Sequence, residues 1–193
     1  LSENVRSMLA FAPALVVKAD TGAAADMGAM HEEAIGRYKA VMSYLTNLAA
    51  GTMSEDDAAD VLELTRVATR LRSLANVMRY DLSTHGGVVL EGRSRELILE
   101  YIGVLDEAMC DAFAATFEGD SVAADRLYAL NAKIEQLQST IDDGQRASAI
   151  VKQSRRAMLN QEAAVGDDLN RLYGYIAGIV QRPHVAKEEH MAA

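Results

Sequence analysis

The chain has 193 residues, half of them apolar, and a formal net charge of −9. A chain of this length makes one large domain or two small ones, buries roughly 70% of its unfolded surface and needs no staples. Its acidic balance argues against nucleic acid as the main partner, because phosphate binding needs a basic surface.

Two prolines, 5% aromatics and abundant Ala, Leu, Met, Glu and Arg predict helix throughout. The single cysteine, Cys110, rules out an internal disulfide and fits a reducing compartment. It lies in an apolar helical run and is read as a small packing residue. No apolar run approaches the ~20 residues that span a bilayer. The longest, Met8 to Val17, is interrupted by Pro13 and lacks the basic leader and cleavage pattern of a signal peptide. The chain opens on Leu1, already inside an expected helix, which suggests a piece of something larger.

Six helices are predicted in chain order. The first runs from Glu3 to Lys18, with a kink or split expected at Pro13. Asp20-Thr21-Gly22 breaks the chain. The second runs from Ala24 to Ala49, with Ile35, Tyr38, Val41, Leu45 and Leu48 on one face, and Gly51 stops it. Ser54 caps the third helix, and Glu55, Asp56 and Asp57 suit its positive end. Its core stripe is Leu64, Val67, Leu71, Leu74 and Met78. His85-Gly86-Gly87 ends that hairpin, His85 at the terminal carbonyls.

The fourth helix runs from Ser94 to Phe117, with Leu97, Tyr101, Val104, Ala108, Ala112 and Ala115 inward. Glu118-Gly119-Asp120-Ser121 is the next break. The fifth, Val122 to Val151, alternates spacings of 3 and 4 through Leu127, Leu130, Ile134, Leu137 and Ile141. The sixth, Glu162 to Gln181, buries Val165, Leu169, Leu172, Ile176 and Ile179; Pro183 ends it and His184 to Ala193 is a frayed tail. The halves rhyme. The expected fold is all-α, two antiparallel three-helix bundles from a duplicated unit, residues 1–85 and 86–193, although any up-down bundle with short loops looks periodic.

Chemistry is sparse. A di-iron bundle needs Glu three residues before His on two helices. His31, His85, His184 and His190 are preceded there by Gly28, Leu82, Gln181 and Lys187, so that site is excluded. There is no phosphate-binding glycine loop and no nucleophile with a paired base, so no catalytic residue is assigned and the chain is read as a non-enzyme. The acidic clusters Glu32-Glu33, Glu55 to Asp60, Asp142-Asp143 and Asp167-Asp168 read as solvated or dipole-compensating turns, the last near the start of a helix. Opposing carboxylates holding a hard cation are the alternative. On the third helix, steps of about 100° put Arg66 and Arg70 on one flank of the stripe. Arg72, Asn76 and Arg79 fall together on the other, outward face. That face is either plainly solvated or a docking surface for an acidic partner or anionic headgroups.

The stretch EAIGRYKAVMSYLTNLAAG followed by TMSEDDAADVLELTRVATRLRSLANVMRYDL, Glu33 to Leu82, resembles the PhoU-like domain at the C-terminal end of sodium/phosphate symporter-family proteins. The resemblance returns in DDLNRLYGYIAGIVQRP, Asp167 to Pro183. It implies two repeated three-helix bundles and an accessory role at the cytoplasmic face of the inner membrane, tethered through an upstream membrane domain. It implies as partner a transmembrane symporter domain or a phosphate-transport membrane protein, with a second copy of the chain also open. Some relatives of this type hold metal clusters through acids spaced by four in a segment that here reads Thr69 to Asn76. Arg70 and Arg72 replace acids and Asn76 is neutral. Two unit charges 4 Å apart repel by roughly 4 kcal/mol at an effective dielectric near 20, so no metal site and no cofactor is carried over. A stand-alone PhoU-like regulator or helical adaptor remains the second reading.

Overall fold

The computed structural model describes residues 1–18, 20–85, 89–147 and 153–180. Seven α-helices form among the described residues: α1 Ser2–Leu9, α2 Ala12–Lys18, α3 Thr21–Ala49, α4 Glu55–Asn76, α5 Gly92–Phe113, α6 Ser121–Ala147 and α7 Gln153–Ala177. No strand occurs among the described residues. The expected first helix splits at Ala10 and Phe11. Pro13 thereby sits in the first turn of α2, where a missing backbone N–H costs least.

The two predicted breaks before the long second helices are N-caps. Asp20 Oδ1 accepts from the amides of Gly22 at 2.8 Å and Ala23 at 3.3 Å. Asp120 Oδ1 accepts from those of Val122 at 2.9 Å and Ala123 at 3.1 Å. The joints match further: Asp20 N donates to Ala14 O and Asp120 N to Ala114 O, both at 3.2 Å. The two halves thus turn the same corner with the same chemistry. Ser54 opens α4 as expected, in a reciprocal capping box with Asp57.

α3 pairs with α4 and α1, while α5, α6 and α7 pack on one another, giving two three-helix units. One continuous apolar core runs through both, from Val5, Met8 and Leu9 through Leu74 and Met78 to Tyr101, Leu105, Leu169 and Ile176. Burial pushes the Tyr101 phenol well above its ordinary value. Polar ties also cross between the halves. Arg66 reaches from α4 to the last carbonyls of α7, donating to Gly178 O and, at 2.7 Å, to Ile179 O, while Glu63 holds it from behind. Arg70 lies over the Tyr175 ring at 5.7 Å, and Arg171 reaches Asp81 at 3.1 Å. The two arginines on the predicted flank are therefore cross-ties.

Several expectations are corrected. The inner face of α3 is Ala23, Met27, His31, Ala34 and Leu45; Ile35, Tyr38 and Val41 are half-buried and Leu48 is exposed, as is Leu64 of α4. α4 passes into a π turn, Val77–Asp81, and then a 3-10 turn, Leu82–His85, and α5 likewise ends in a π turn, Ala114–Glu118. α7 begins at Gln153, not Glu162, which leaves Asp167 and Asp168 in mid-helix. Gly86-Gly87, Val151 and the residues from Gln181 through Pro183 to Ala193 lie outside the described residues, as does the side chain of His85.

Candidate functional site

α3 and α4 run side by side, and the residues singled out on α4 meet α3 along one side of that hairpin. Arg72 is exposed and lies over the Tyr38 ring at 5.2 Å. Asn76 is half-buried, its Oδ1 2.9 Å from His31 Nε2. Arg79 is half-buried as well: a Cβ at Gly28 would stand 3.4 Å from its Nε, and its guanidinium is 5.9 Å from the Tyr80 ring. The three residues do share a side, but only Arg72 faces outward in full. The π turn explains the difference for Arg79, because it breaks the regular step of about 100° on which the wheel rests.

His31 is what the sequence reading missed. It is 4% exposed, edge-on to Tyr80 with ring centroids 5.1 Å apart. With Nε2 bonded to Asn76, its buried Nδ1 has no hydrogen-bond partner; Glu32, 82% exposed, comes to 3.8 Å. The signal was present: His31 lies four residues after Met27 and three before Ala34, in phase with the core stripe.

The patch is electrostatically open. Arg6, Arg37, Arg66, Arg126, Arg146 and Arg171 each hold a carboxylate. The guanidinium groups of Arg72 and Arg79 touch aromatic rings and take no carboxylate among the described residues. On a chain of net charge −9, these cations on one side of the hairpin give that side a direction.

The acids are dispersed. Asp57 serves the α4 cap, Asp143 pairs with Arg146, and Asp142 and exposed Asp167 both accept from Gln138. Asp168 is not solvated as predicted: it is 5% exposed and paired with Arg171. Glu162, 4% exposed, is buried too. Among the described residues, no group of three or more His, Cys, Asp or Glu is placed to hold a metal ion. Cys110 is half-buried, and burial raises its thiol pKa, which favours the unreactive form. No helix among the described residues is long and apolar enough to cross a membrane.

These helices define an all-α protein of two joined three-helix units. No family model matches the chain, and no curated protein matches it. Among solved structures it is similar to PhoU from Pseudomonas aeruginosa, with a TM-score of 0.70 and 10% identity, over 92% of this chain and 90% of that one. At that identity the likeness concerns the fold, and the PhoU-like architecture expected from the sequence is borne out.

Proposed function

We propose that the chain is a PhoU-like regulatory domain of phosphate uptake, acting by docking and not by catalysis. Its partner in this reading is the membrane part of a sodium-dependent phosphate transporter at the cytoplasmic face of the inner membrane. The observation that carries the proposal is the likeness to PhoU along nearly the whole chain. It is supported by the symporter-tail resemblance of Glu33 to Leu82. Arg72 and Arg79, cations of the α3–α4 hairpin that take no carboxylate among the described residues, are the proposed contact, with Asn76 between them. An acidic loop or anionic headgroups are the surfaces they would meet.

The test is charge reversal. Arg72→Glu changes an exposed side chain and should shift stability by no more than about 0.5 kcal/mol; adding Arg79→Glu removes a half-buried partner of Gly28 and Tyr80 and costs more. In the full-length transporter the pair should alter sodium-driven phosphate uptake, and in the isolated chain it should weaken binding to the membrane part. Unchanged uptake and binding, with circular dichroism showing an intact fold, refute the contact. Coding sequence upstream of Leu1 with several apolar segments of ~20 residues supports the tethered form. A start codon close by favours a free-standing regulator instead.

A further inference from the structure

The second unit contains a cavity of about 710 Å³ at the end where α5 begins, α6 closes and α7 begins. Leu97 of α5, Thr140 and Gly144 of α6 and Leu159 of α7 line it. Small-molecule sites run from roughly 300 to 1,000 Å³, so the space suits a small ligand.

Glu162 of α7 lines this cavity too, although the residue is only 4% exposed. Its carboxyl takes no hydrogen bond and no cation among the described residues. Oε1 comes 3.7 Å from where a Cβ on Gly144 would stand, so the carboxyl crosses from α7 to α6 at a point that a glycine leaves bare. An acid kept from water with nothing to bond is costly, and native proteins give such groups a partner. The cavity beside Glu162 is where a cationic group can reach it.

The rest of the rim has the opposite sign. Arg93, in the first turn of α5, and Arg155, in the first turn of α7, are exposed and take no carboxylate among the described residues. Ser94, next to Arg93, is 6% exposed and lines the cavity. Glu91 at the N-cap makes no side-chain hydrogen bond to the first turn, so the positive end of the α5 dipole opens here. Of the acids on the rim, Glu91 is exposed and Asp143 is already engaged by Arg146.

We propose that this cavity binds a small zwitterion, of the amino-acid class. Its amine pairs with Glu162, and its acidic group is held by Arg93, Arg155 and the start of α5. A plain anion would meet the Glu162 carboxyl with like charge, and a plain amine would forgo both arginines. The buried acid and the basic rim thus select for a molecule that carries both signs. The site shares no residue with the Arg72 and Arg79 surface, so a failed uptake test leaves this proposal standing, and the reverse.

The test is isothermal titration of the full chain with glycine, 4-aminobutyrate, 6-aminohexanoate and O-phosphoethanolamine. Butylamine and butyrate serve as one-ended controls. At least one zwitterion should bind, at least about tenfold tighter than either control. Glu162→Gln keeps the shape and removes the charge, and should weaken that binding by at least about tenfold. Arg93→Ala combined with Arg155→Ala should weaken it as well, without weakening butylamine. Val122→Ser, an exposed change elsewhere, should leave it unaltered. Without ligand, Glu162→Gln should melt no lower than the parent chain, because no protein partner is lost. A lower midpoint shows that Glu162 is already satisfied within the fold and overturns the proposal. Absence of binding by every zwitterion also overturns it. So does a one-ended control that binds as tightly, or an affinity indifferent to Glu162→Gln.

Discussion

Gly166→Ala probes a close approach of α6 and α7. A Cβ on Gly166 would stand 2.8 Å from Ile141 Cδ1, 3.2 Å from Ile141 Cγ2 and 3.6 Å from Gln138 Oε1. Alanine is favoured over glycine in a helix interior by about 1 kcal/mol. Against that stands the repacking of Ile141, which is 1% exposed; overfilling a tight core costs about 1–3 kcal/mol. The Cδ1 methyl can swing away, but Cγ2 is held by the stiff χ1 of a β-branched residue. The clash should win, with a net loss of about 1 kcal/mol, or about 2–4 °C in melting midpoint for a chain of this size. Ile141→Val removes the nearer methyl at a cost of about 0.5–1.5 kcal/mol alone. The double variant should then be more stable than the sum of the two by at least about 0.5 kcal/mol. Urea unfolding followed by circular dichroism reads all four proteins. A Gly166→Ala variant stabilised by the full propensity gain, or a strictly additive pair, refutes the close approach.

Leu137→Ala, at a buried position of α6, should cost about 2–5 kcal/mol, whereas Gln136→Ala on the exposed side should change little; equal melting shifts would mean that α6 is rotated. Gln138 is unsuitable as the control, because it bonds Asp142 and Asp167. Asn76→Ala strips His31 of its hydrogen bond and should destabilise by about 1–3 kcal/mol, measured in the same urea series; no loss would show that His31 bonds elsewhere. Protein purified without chelator should carry no stoichiometric Fe, Mn or Zn by elemental analysis; a stoichiometric metal would make ligands of acids such as Glu32 or Asp168, the latter against its pairing with Arg171.

Local chemistry was the legible part of the fold. Ser54 and Pro13 act within a few residues of themselves, so their effects could be read directly from order, whereas the two aspartates that open α3 and α6 were read only as breaks. The fifth helix, with apolar residues alternating at 3 and 4, was placed well because its pattern is clean. α7 was started nine residues late because Gln153 to Gln161 is polar and uncapped in sequence. Packing of Leu159 and the pairing of α7 with α5 and α6 hold that turn in the helix. His31 and Asp168 were misjudged for one reason: a polar residue is buried only if a distant partner satisfies it. Asn76, 45 residues from His31, and the neighbourhood around Arg171 are known only once the chain is folded. Leu48 and Leu64 fail differently. Periodicity states which face is apolar, not whether anything covers it.

The seam between the halves has a mechanical consequence. Just beyond the end of α7 the carbonyls of Gly178 and Ile179 are held by Arg66 of α4, while Arg171, two turns earlier, is tied to Asp81. An opening of the end of α7 therefore has to break these ties to α4 and Asp81 as well as its packing on α5 and α6. The far end of α4 carries the acidic capping turn and the exposed hairpin tip, so the ties join the close of the second unit to the helix that opens there.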